Sequence, residues 1–83
     1  MNKKDLKNTF EKAKLLGVDV IVELTVPTRS ESEYIVVLND NIDYKSNYYI
    51  ENYNDNLELN RCTDIKILNL HIADFKKMLE MLS

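Results

Sequence analysis

The sequence predicts a small α+β domain, with helices packed on a mainly antiparallel three-stranded sheet in the order α-β-β-α-(β)-β-α. Three observations carry that prediction. Apolar residues recur at helical spacing near both ends of the chain, two apolar runs are joined by a polar loop, and the only glycine sits where the first helix has to stop. At 83 residues there is room for one hydrophobic core, so residues 1–83 are expected to form a single domain.

Residues 2–16 read as an amphipathic helix. Asn2 can cap it, Asp5 suits its positive end, and Leu6, Phe10, Ala13 and Leu16 share a face. Gly17 then supplies the left-handed residue that closes many helices. Residues 18–26 alternate, with Val18, Val20, Val22, Leu24 and Val26 on one side and Asp19, Glu23 and Thr25 on the other. Pro27 and the polar stretch after it make a turn. Residues 33–38 form a second strand, apolar on both faces, which suggests a central position in the sheet or a second covered face. If the far face of the sheet stays open, Ile21, Ile35 and Val37 are expected to form an apolar patch there.

From Asp43, a candidate N-cap, to about Asn54 the period becomes helical. One side carries Ile42, Ser46, Tyr49, Ile50 and Tyr53; the other carries Tyr44, Tyr48, Glu51 and Asp55. A strand through Tyr48, Tyr49 and Ile50 is the competing assignment, and the two-sided partition favours the helix. Leu57 and Leu59 read as a short extended piece and residues 60–64 as a turn. Residues 65–71 are the last strand, and Asp74 opens a helix whose face holds Phe75, Met78, Leu79 and Leu82.

Composition narrows the function. A net charge of −3 gives no basic footprint for duplex nucleic acid, so nucleic acid is not the expected partner. No apolar run is long enough to span a bilayer, and the first turn is charged where a signal peptide would need an apolar run. One cysteine, Cys62, fits a reducing compartment, so a cytoplasmic location is expected. The abundance of Asn, Lys and Ile suits an AT-rich genome.

Reactive side chains are sparse. One glycine cannot build a phosphate loop, and a lone Cys62 and His71 cannot supply the paired ligands of a zinc site. Asp40, Asp43 and the run Asn54-Asp55-Asn56 look superficially like calcium ligands, but Ile42 and Tyr44 stand at ligand positions and the central glycine is missing. Turns and caps account for these acids. No catalytic residue, cofactor or metal is therefore expected, and the chain reads as a binding protein and not as an enzyme.

The tyrosines are the informative feature. Tyr49 and Tyr53 belong to the core side, whereas Tyr44 and Tyr48 face solvent beside Glu51 and Asp55. Exposed Tyr is enriched at interfaces; rings lying flat on neighbouring loops are the plainer reading. Lys3, Lys7 and Lys14 line the first helix, either as a solvated face or as phosphate contacts.

The stretch from Asn41 to Leu59 and the strand after it resemble a pattern in small phage and prophage proteins of low-GC Gram-positive bacteria. Lys45, Tyr48, Tyr49, Tyr53, Asp55, Leu57, Leu59, Ile65 and Ile67 match it, over about half the chain. The resemblance implies an origin in a mobile element and a role in blocking a host defence protein, as anti-CRISPR proteins do. Tyr44, Tyr48, Glu51 and Asp55 are then the expected protein-binding residues, with acids suited to a basic nucleic-acid channel on the host protein. Two alternatives stand beside it. One is a nucleic-acid or nucleotide-binding module using Lys3, Lys7 and Lys14. The other is a homodimer or larger phage assembly protein joined through the open sheet face or the region of Met78, Met81 and Leu82.

Overall fold

The computed structural model describes residues 1–82, the side chains of Lys76 and Met78 excepted, so the expected place of Met78 on the last helix face lies outside the described residues. The helix α1 (Lys3–Leu16) opens with a reciprocal cap. The Asn2 side chain accepts the Asp5 N–H at 3.0 Å while the Asp5 carboxylate accepts the Asn2 N–H at 3.0 Å. It closes on Gly17 at φ 68°, with the Val18 N–H donating back to the Ala13 carbonyl. Both boundaries follow from residues within a few positions of the helix end.

After α1 come β1 (Asp19–Thr25), β2 (Glu33–Val37), a 3-10 turn at Asn39–Asn41 and α2 (Ile42–Asn52). The chain then adds β3 (Glu58–Leu59), β4 (Cys62–Ala73) and α3 (Phe75–Leu82). The class and order are those the sequence predicts, with a correction of strand number. The sheet has four strands, β2-β1-β4-β3, all neighbours antiparallel, because the short β3 joins its edge.

One face of this sheet carries the core. Val20, Val22 and Leu24 of β1 stand beside Val37 of β2 and Ile67 of β4, under Leu6, Phe10 and Ala13 of α1 and Ile42 and Tyr49 of α2. Tyr53 and Leu57 complete the cluster. Burying a large apolar side chain of this kind contributes about 1.5–3 kcal/mol. Among the described residues no helix is long and apolar enough to cross a membrane.

Several expectations are corrected, each for a physical reason. The strand β2 lies at an edge and not in the centre; its apolar outer residues remain exposed. The expected patch of Ile21, Ile35 and Val37 does not form, because Val37 and Ile35 pair with Val20 and Val22 on the helix-covered face. Val36 stands beside Ile21 instead. The last strand starts at Cys62, opposite Leu59, so the expected turn over 60–64 shrinks to Asn60 and Arg61. Within β4, Leu68 is the extra residue of a bulge, and the bulge shifts the core-facing set from Ile67 to Leu70 and Ile72.

Leu57 is not extended. It takes φ 61°, a left-handed conformation that costs a residue with a Cβ about 1–2 kcal/mol, and near-complete burial of its side chain offsets that cost. Asp19 is not on an open polar face. It is buried, and its two oxygens accept the Asn39 N–H at 2.8 Å and the Phe75 N–H at 2.9 Å. These N–H groups open the 3-10 turn and α3, where helices leave donors without internal partners.

Candidate functional site

The helix α2 is held by its buried side and offers the other. Tyr49 is only 1% exposed and lies against Phe10, ring centroids 6.0 Å apart, and against Tyr53 at 5.4 Å. Burial pushes the Tyr49 phenol well above its ordinary range, and the neighbouring Tyr53 and Tyr48 add to the shift. Burial raises Tyr53 in the same direction, with Tyr48 as the lesser cause. These phenols stay neutral at any physiological pH.

On the outward side, Tyr44, Tyr48 and Glu51 fall at helical spacing and surround a shallow hollow of about 160 Å³ together with Asn47 and Asn52. Tyr44 is 70% exposed. Tyr48 is half-buried, which corrects the expectation that it faces solvent freely. Its ring meets Tyr49 edge-on, centroids 5.4 Å apart, and the Lys45 Nζ sits 5.5 Å from its centre. The ring is therefore supported on two sides by its own helix. The Asn52 amide donates to the Tyr48 carbonyl at 2.8 Å and finishes the helix.

The structure brings Tyr44, Tyr48 and Glu51 together and leaves Asp55 out. Tyr53 leaves the helix in an extended conformation and bridges to Leu59, so α2 ends before it can carry Asp55 onto the same face. Asp55 stands exposed in the following turn, where the Asn54 side chain accepts the N–H groups of Asn56 and Glu58 at 2.9 and 3.0 Å. Asp43 is likewise not the expected N-cap. That position belongs to Asn41, and Asp43 takes both of its oxygens to the Lys14 Nζ at 2.9 Å.

Compared with family models, curated proteins and solved structures, the chain matches none. The site therefore has to be read from its own geometry. Lys14 is engaged with Asp43, and the groove that it and Lys7 line between α1 and α2 also holds Glu11, so the lysine row is interrupted by acids. Cys62 and His71 occupy different ends of one extended strand, on the order of 30 Å apart. His71 lies 3.7 Å from Glu23 on the far face of the sheet. Among the described residues no three His, Cys, Asp or Glu side chains are placed to hold a metal ion.

Sequence reasoning missed Asn47 and Asn52 as parts of the hollow, and Lys45 as the support of Tyr48. A signal for Asn47 was present, since it stands three residues after Tyr44 and four before Glu51, on the same helical face. The arrangement offers phenols, amides and one carboxylate on a rigid helix, which suits docking to another surface.

Proposed function

We propose that this chain is a non-enzymatic, phage-type binding protein that inhibits a host protein by covering part of its surface. The intended host protein is a CRISPR effector or another defence protein with a nucleic-acid channel, met in the bacterial cytoplasm. One observation carries the reading: Tyr44, Tyr48 and Glu51 surround a hollow on one helix face, and the Tyr48 ring rests on Tyr49 with the Lys45 Nζ beside it. A ring supported in this way loses less freedom when a partner covers it, and Tyr is enriched among residues that dominate binding energy. Glu51, with Asp55 in the next turn, supplies carboxylates that suit a basic channel, while the Lys45 ammonium lies against the Tyr48 ring. The wide separation of Cys62 and His71 supports a docking role over bond-making chemistry.

The test is phage plating on bacteria that carry a panel of defined CRISPR effectors, with and without expression of this chain, followed by affinity measurement on the effector that responds. Tyr44→Ala combined with Glu51→Lys is expected to raise Kd by about 30-fold or more, equivalent to over ~2 kcal/mol, with the fold intact by circular dichroism. Unchanged affinity would remove this face from the interface. Failure of every effector in the panel to respond would remove the inhibitor reading.

A further inference from the structure

The two edges of the sheet are protected very differently. At one edge β3 is two residues long and is closed off by the Tyr53 bridge and by the turn at Asn60 and Arg61. At the other, β2 runs five residues with β1 on one side and, among the described residues, no strand on its outer side. Natural edge strands are usually blunted by lysine, proline, a bulge or an inward-pointing charge. The sequence of β2, Glu-Tyr-Ile-Val-Val, has no lysine or proline, its one charge on the core side, Glu33, stands at the strand's first position and is paired with Arg29, and its pairing with β1 is regular from Glu33 to Val37. Tyr34 is 61% exposed, and Ile35, Val36 and the following Leu38 are exposed as well.

We propose that β2 pairs antiparallel with the β2 of a second copy of this chain, giving a two-fold dimer with a continuous eight-stranded sheet. The strand is self-complementary about Ile35. In that register Ile35 meets its own symmetry mate beside the core face, and each Tyr34 stands opposite a Val36 on the far face. Aromatic and β-branched residues stabilise each other as cross-strand pairs. Charge also permits this register, because Glu33 falls opposite Val37 and not opposite another Glu33, while Arg29 holds its carboxylate at 3.2 Å. The two-fold uses up both exposed β2 edges, so association stops at two.

Five strand residues and Leu38 offer less than the ~800 Å² per partner of a standard interface, so the dimer is a weak one that forms as concentration rises. Each copy carries a net charge of −3, and the resulting repulsion is screened by salt. Dimerisation therefore strengthens with ionic strength, opposite to the behaviour of a phosphate-binding protein.

Sedimentation equilibrium from about 10 μM to about 1 mM, the range of affinities weaker than standard interfaces, tests this directly. The wild-type mass is expected to rise from 9.8 kDa toward twice that value and no further. Amide exchange should slow with concentration at residues 33–37 and not at 58–59. Val36→Lys and, independently, Tyr34→Lys should each weaken dimerisation about tenfold or more while leaving the circular dichroism spectrum unchanged. A wild type that stays monomeric to the top concentration would overturn the proposal and leave the edge to a foreign strand. A dimer insensitive to whichever variant folds would overturn it too, as would growth into larger species.

Discussion

Tyr49 and Tyr48 are neighbours in sequence with the same side chain, and they do opposite work. The Tyr49 ring is enclosed by Phe10 and Tyr53 and holds α2 onto the sheet. The Tyr48 ring is half-covered, propped by Tyr49 from within and Lys45 from outside, and its free side borders the hollow with Tyr44. A helix turns by about 100° per residue, so one step in the chain separates a side chain that makes the fold from one that presents it. A tyrosine-rich segment thus holds two populations, and the exposed ring rests on the buried one.

Replacing Tyr49 with alanine is the most severe of the tests. Removing a buried aromatic ring costs about 3–5 kcal/mol, a large share of the stability of a domain this size, and should appear as a collapse of the urea midpoint. On the other side of the helix, Tyr44→Ala should leave that midpoint within about 0.5 kcal/mol while weakening partner binding. If both replacements shift stability alike, the division of labour is wrong.

Alkali probes the buried phenols next. In the unfolded chain Tyr49 ionises near its ordinary value of 10.0, whereas in the folded chain burial raises that value. Above pH 10 the unfolded state therefore holds fewer protons than the folded one, so stability is full below pH 10 and declines as the pH rises further. The slope is about 1.4 kcal/mol per pH unit for each phenol that must stay protonated. Thermal melts of wild type and Tyr49→Phe across pH 9–12 check this; the variant should lose part of the slope.

The smallest effect is expected from Lys14→Ala. Its partner Asp43 lies in the first turn of α2, but both side chains are more than half exposed, and exposed pairs contribute about 0–1 kcal/mol before salt weakens them further. A large loss would mean that a surface ion pair, and not Tyr49, sets the position of α2.

What was legible in the sequence was mostly local. The Asn2 cap and Gly17 closure of α1 involve residues a few positions apart, and the buried face of α2, with Ile42 and Tyr49, follows from a period of 3.6. What was hidden depends on distant partners. The edge position of β2 is decided by which strand pairs on the other side of β1, and that strand begins at Cys62. The exclusion of Asp55 from the site follows from Tyr53 bridging to Leu59, which no helical period can foresee. Leu57 hides for another reason: a left-handed position normally announces itself with glycine, and here burial of a leucine prevails. The bulge at Leu68 left a trace, since apolar residues fall at odd positions up to Ile67 and at even positions from Leu68 on.

Asp19 has a consequence for how the molecule is made. Its two donors arrive 20 and 56 residues later in the chain. A nascent polypeptide leaving the ribosome can close α1 and the β1–β2 hairpin early, but the central strand waits for β4, and the carboxylate waits for Phe75. Folding of this domain is therefore completed only once β4 and Phe75 are in place, and until then β1 travels with one flank bare.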